Sequence, residues 1–185
     1  MVDASFPDDL HTWTDVVDNE DIISGVHMNI AHAEIIAIEN FLFKLNRVVK
    51  VYRSGSTQTC NAGAITKIQF NAADYDPETD FDITTDYEYT APFDGFFLFS
   101  GTLRFIGLAK DTTYSIIAYL NGSTHQRCAF NYASATNYEL AFTVIVKAEE
   151  GDAIDIRFNN TGGGNEPLDH EIDDTMMTIK PFALL

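Results

Sequence analysis

Chemistry in this chain would have to come from five histidines, two cysteines and an acidic run. His11, His27, His32, His125 and His170 are scattered. None forms a pair one helical turn apart around a glutamate, and none stands in order with a serine and an aspartate beside a nucleophile-elbow glycine. Cys60 and Cys128 lie too far apart for metal-ligand spacing and are too few for a disulfide framework, so two free, buried thiols are expected. Asp74, Asp76, Glu78, Asp80 and Asp82 place a carboxylate at every second position, which invites a calcium reading. The run lacks the central glycine and the twelfth-position glutamate of a helix-loop-helix calcium site. A solvated loop is expected, with a loose structural Ca2+ site as the alternative. No carboxylate pair stands out for glycoside hydrolysis. The expectation is therefore no enzyme, no catalytic residue, no cofactor and no dedicated metal site.

Binding is a better prospect than catalysis. Asn131, Tyr132, Asn137 and Tyr138, with Asn159, Asn160 and Asn165 around Gly162–Gly164, combine contact area with adaptable hydrogen bonding, as binding loops do. The same residue types are also ordinary turn formers. A net charge of −17, from 11 basic and 28 acidic residues, disfavours nucleic acid, since phosphate recognition needs clustered Lys and Arg. Anionic membrane surfaces are disfavoured for the same reason. No apolar run reaches the roughly 18 residues of a membrane span, and Met1 is followed by acids rather than a basic and then apolar leader. The chain is expected in the cytosol or in an assembly released without a signal, such as a virus particle.

These residues need elements to position them. With 45% hydrophobic residues the chain can bury a core, and 185 residues suit one sandwich domain plus an extension. Residues 1–24 read as an irregular anchoring segment in which Trp13 either covers the adjoining helix or docks into a larger assembly. From Ser24 the pattern turns helical. Met28, Ile35, Leu42 and Val49 occupy one heptad position, and Ala31, Ile38 and Leu45 the other. This stripe predicts a helix over about 25–48 and a trimerising segment over 25–49, because isoleucine at both seam positions favours trimers over dimers. An amphipathic helix lying on its own domain is the alternative. Residues 50–185 read as short strands near 64–71, 86–90, 95–106, 113–120, 126–132, 138–147, 153–159 and 174–184, with Asn121-Gly122 as the clearest hairpin turn.

The most informative strand is Gly95-Phe96-Phe97-Leu98-Phe99. Alternation sends Phe97 and Phe99 to one face and Phe96 and Leu98 to the other, so both faces are apolar. A strand of that kind needs a second cover, either a neighbouring subunit or a loop of the same chain. All four side chains are assigned to a trimer interface, together with Met28, Ile35, Ile38, Leu42 and Leu45.

The run from Tyr89 through Gly95 to Phe99 resembles the C1q-type signature: an aromatic, five residues, Gly, any residue, an aromatic, any residue, Phe. Tyr89 stands where that family usually has Phe, and Phe97 where it usually has Tyr. Downstream, Val144–Ile154 with Gly151-Asp152, and the closing Met177–Leu185, are similar to later strands of the family, although Pro181 replaces a small polar residue. The resemblance implies an all-β, ten-stranded C1q/TNF-like jelly roll that trimerises near the Gly95–Phe99 strand and displays loops at its far end. Residues 10–43, with Trp13, Ile22-Ile23 and Asn29, resemble attachment segments of tailed-phage tail or baseplate proteins. The function expected from both is a virion protein, a tail fibre, tail tip or receptor-binding trimer. It would dock to a phage structural protein through its N-terminus and bind a host-surface glycan or protein through its loops. A non-adhesive head-fibre, decoration or spore-surface trimer is the alternative.

Overall fold

The computed structural model describes residues 25–108, 112–132, 137–162, 164–170 and 174–184. Trp13 and the anchoring segment lie outside them. The chain divides into a unit up to Phe43 and a second from Lys44 onward.

Helix α1 spans Gly25–Leu45. Its interior is Ala, Ile, Leu, Glu and Phe with no Gly or Pro, and Lys44 sits in the last turn, where a cation complements the helix dipole. The seam side chains Ile35, Ile38 and Leu42 are 53%, 58% and 58% exposed, and Phe41 and Phe43, off the seam, are exposed as well. The helix ends three residues before the expected boundary. A tight turn, with the Arg47 N–H reaching the Lys44 carbonyl, leads into strand β1 (Val49–Tyr52). Val49, assigned to the seam by heptad arithmetic, instead pairs with Ile179 and is buried. A β-branched residue suits either element, and its partner decides.

Eleven further strands follow: β2 (Gln58–Cys60), β3 (Ile65–Lys67), β4 (Ala72–Tyr75), β5 (Tyr89–Thr90), β6 (Gly95–Ile106), β7 (Thr113–Leu120), β8 (Ser123–Tyr132), β9 (Asn137–Ala148), β10 (Ala153–Asn160), β11 (Glu166–Leu168) and β12 (Met176–Leu184). Every named pairing is antiparallel. A seven-stranded sheet contains β9, β6, β12, β1 and β4, with β11 and β2 continuing the ladder beside the far end of β6. A five-stranded sheet orders β3, β10, β7 and β8, with β5 also on β10. The twelve strands among the described residues exceed the ten implied by the resemblance. β1, β2, β4 and β11 have no counterpart in the sequence reading, because strands this short draw their stability from non-local partners.

The two sheets enclose an aromatic core. Phe93, Phe97, Tyr89 and Phe99 meet in a chain at centroid spacings of 5.3 to 5.7 Å, edge-to-face at Tyr89, and Phe105 meets Phe158 at 4.2 Å. Phe97 and Phe99 are 0% exposed, so they fill the core of their own chain and cannot form a trimer interface. Phe96 and Leu98 point outward and are half-buried. The register settles which face of an ambiguous strand turns inward, because Tyr89 and Phe93 offer rings on one side only. Gly101 permits the close pairing of β6 and β12: a Cβ there would stand 2.3 Å from the Met176 carbonyl oxygen.

Candidate functional site

Strand direction sorts the second unit into two ends. The chain enters beside Phe93, where the Lys44 ammonium sits 5.3 Å from the ring centre. Arg47 fixes this entry through a two-pronged contact with Asp80, its Nε donating at 2.9 Å. The same end holds Gly95, the Asn121-Gly122 turn and the turn at residues 149–152. Asn121 and Gly122 have φ of 49° and 73°, the left-handed pair that a two-residue hairpin requires. Side chains then knit the turns together. Asn121 Nδ2 donates to Asp152 Oδ1 at 2.7 Å, the Ala153 N–H donates to Asn121 Oδ1 at 2.9 Å, and the Glu150 N–H donates to Asp94 Oδ1 at 2.8 Å.

The opposite end gathers the candidate ligand residues. Tyr132 closes β8 opposite Thr113, Asn137 opens β9 opposite Ile106, and Asn159 and Asn160 close β10 opposite Ser115 and Tyr114. Asn131, Tyr132, Asn137 and Tyr138 therefore lie on strand ends flanking residues 133–136 rather than in a loop. Asn165 is exposed and its Oδ1 accepts the Ala62 N–H at 3.0 Å. Asn160 is corrected outright. It is 0% exposed, its Nδ2 donates to the carbonyls of Cys60 and Gly164 at 3.2 and 2.8 Å, and its Oδ1 accepts the Gly162 N–H. It holds a loop from a position closed to solvent. Beneath it Tyr114 donates to the buried Glu166 carboxylate at 2.7 Å. The sequence reading missed a polar groove of about 590 Å³ on this flank, lined by Thr57, Thr59, Asn61, Thr66 and Gln69 among others. Gln58 closes its floor by donating to the Lys67 carbonyl and accepting the Gln69 N–H.

Asp76, Asp80 and Asp82 of the acidic run are structural rather than solvated, while Asp74 and Glu78 are exposed. Asp74 pairs with Lys50, Asp76 accepts the N–H groups of Asp80 and Phe81, and Asp80 is buried against Arg47. Asp82 accepts the N–H groups of Thr84, Thr85 and Asp86, which hold its carboxyl well below the usual carboxylate range. Burial outweighs those bonds at Asp76 and raises it. Among the described residues no group of three or more His, Cys, Asp or Glu could hold a metal ion. Cys60 and Cys128 are free, the first buried and the second half-buried. Desolvation pushes their thiols up to about 12 and about 11.

The remaining surface feature is the outward face of the seven-stranded sheet. Residues directly opposite share a face, so Lys147, Ile145 and Lys180 lie beside outward Phe96 and Leu98. Phe182, after a register shift in β12, is 63% exposed, and Ile145 is 44% exposed. Leu45, Leu98, Lys180, Pro181 and Phe182 line a concavity of about 350 Å³ here. The last seam residue of the helix thus adjoins the sheet's apolar patch. Ile145 was detectable in the sequence as an apolar residue in the polar phase of the 140–147 alternation. Phe182 was hidden by the register shift beside Pro181.

No family model matches the chain, and no curated protein matches it in sequence. Solved structures do match in shape. Murine APRIL at pH 8.5 aligns with a TM-score of 0.56 at 12% identity, covering 73% of this chain and 98% of that one. The Eiger TNF of S. frugiperda aligns at 0.56 and 10% identity, covering 75% and 93%. The globular domain of zebrafish complement 1qA aligns at 0.52 and 14%, covering 76% and 98%. Likeness at such identities is one of fold, and the fold of this chain is the antiparallel C1q/TNF-like jelly-roll sandwich.

Proposed function

We propose that the chain is a homotrimeric virion protein of a tailed phage, a tail fibre, tail tip or receptor-binding protein that presents its loop end to a host-surface glycan or protein. The observation that carries this reading is the patch of Phe96, Leu98, Ile145 and Phe182 on the outward sheet face, continuous with seam residue Leu45. Apolar area of this kind, at about 25 cal/mol per Å², drives association when a second copy covers it. The exposed seam of Ile35, Ile38 and Leu42 supports a coiled coil between copies. Phe41 and Phe43 lie off that seam and are exposed, which leaves a strip for a particle protein to cover. The polar groove of the second unit, lined by hydroxyls and amides together with Arg53 and Lys67, suits a polyhydroxylated ligand. The resemblance of residues 10–43 to tail attachment segments supplies the phage context.

Sedimentation of the pure chain tests assembly, and competition of that chain with phage adsorption to host cells tests adhesion. A stable monomer at micromolar concentration refutes the trimer, and a trimer that neither binds cells nor blocks adsorption refutes the adhesin. The second reading, a head-fibre or decoration trimer that recognises nothing, is favoured by the internal engagement of Asn160 and Asn165. Electron microscopy placing the protein away from the host-facing tip would select it.

A further inference from the structure

The chain has 11 basic residues against 28 acidic ones, and nearly every cation whose side chain is described is engaged within its own copy. Arg47, Lys50, Lys67, Arg104 and Arg157 form ion pairs. Arg53 donates to the carbonyls of Ser56 and Gln69, and Lys44 lies over the Phe93 ring. Lys147 and Lys180 are exposed and, among the described residues, make no such contact. Their positions are not scattered. Lys147 pairs in register with Phe96, and Lys180 with Leu98, so the two ammonium groups bracket the apolar patch on the outward sheet face.

We propose that Lys147 and Lys180 are the cationic half of the self-interface and pair with carboxylates of a neighbouring copy. The proposal rests on the trimeric reading above and adds its specificity. Copies of a chain with net charge −17 repel one another, and apolar contact alone carries no register. A neighbour that sets acids against these two lysines relieves the repulsion and fixes orientation. Rotation about an axis along the strands keeps every residue at its own height. The partners therefore come from the same end of the sandwich, where Asp94, Glu149 and Glu150 are exposed. Glu149 and Glu150 use their backbone N–H groups on Asp152 and Asp94, and their own carboxylates are left for another chain.

The test is sedimentation velocity of the full chain across a dilution series at low and high NaCl, with thermal melts to confirm that each variant folds. The wild type is expected to trimerise at low as well as high salt, because its lysine–carboxylate pairs offset the repulsion between copies. Lys147→Glu with Lys180→Glu should dissociate it, and adding Glu149→Lys with Glu150→Lys should restore it. The uncharged pair Lys147→Met and Lys180→Met, which keeps the repulsion and loses the pairs, should need salt to associate, with a midpoint in low NaCl about tenfold or more above that of the wild type. A wild-type trimer indifferent to charge reversal overturns the pairing while leaving the trimer intact. Tighter association of the methionine pair than of the wild type also overturns it, since the lysines would then be guards against association. A wild type that stays monomeric at every concentration and salt overturns the trimer itself.

Discussion

Leu98 and its neighbour Phe97 offer opposite outcomes from adjacent positions. Leu98 faces outward and is half-buried in a single copy, so the proposed trimer would remove only the remaining half of its surface from water. Full burial of a leucine is worth about 1.5–3 kcal/mol, so Leu98→Ser should cost each protomer about 1–1.5 kcal/mol of association. Threefold repetition makes that about 3–4.5 kcal/mol per trimer, or roughly two to three decades in the dissociation constant. That constant scales with the square of protomer concentration, so the midpoint should rise roughly ten- to thirtyfold. The isolated fold should melt almost unchanged. Phe97, by contrast, is 0% exposed and packed between Tyr89 and Phe93. Phe97→Ala should cost about 3–5 kcal/mol of folding stability whatever the concentration. Sedimentation velocity over a dilution series, with urea unfolding of the same samples, separates the two effects. The reasoning fails if Leu98→Ser leaves the midpoint unchanged, or if Phe97→Ala dissociates the protein without destabilising it.

Other perturbations have equally definite outcomes. Gly101→Ala forces a Cβ against the Met176 carbonyl oxygen and should cost about 3 kcal/mol or more, read as a lowered urea midpoint. Asn160→Ala orphans the buried Cys60 carbonyl and releases the part-buried Gly164 carbonyl and Gly162 N–H, and should cost about 1–3 kcal/mol in the same assay. Asp82 and Asp152 are held below the usual carboxylate range, by backbone N–H groups at Asp82 and by Asn121 first at Asp152. Their contribution is present above the unfolded value of about 4 and is lost as pH falls through the folded one, so amide exchange at Thr84 and Thr85, corrected for its intrinsic pH dependence, should show falling protection under acid and little change above neutrality. In the folded protein Cys128 should alkylate slowly and Cys60 only after unfolding, because burial raises both thiols and Cys60 the more.

The sequence disclosed long elements and tight turns best. The 95–106 and 113–120 strands and the Asn121-Gly122 hairpin stand where local pattern puts them, because alternation over many residues and a left-handed turn pair are local properties. Strands of three or four residues, such as β2 and β11, carry no pattern of their own and exist through each other. The same limit governs the sites. Phe96 to Phe99 announce two apolar faces without saying which is inside, since that depends on rings at positions 89 and 93. Asp76, Asp80 and Asp82 look like a solvated run because their partners, Arg47 and nearby N–H groups, are supplied by the fold. Asn160 looks like an adaptable contact because its burial comes from residues about a hundred positions away.

The knitted turns at the entry end bear on how such a protein could diversify. With Asn121, Asp152, Asp94 and Glu150 cross-bonded over two-residue and four-residue turns, an insertion there would break several bonds at once. Peptide grafted or inserted elsewhere on the scaffold would spare these bonds, so the cross-bonded turns mark where the chain tolerates change least.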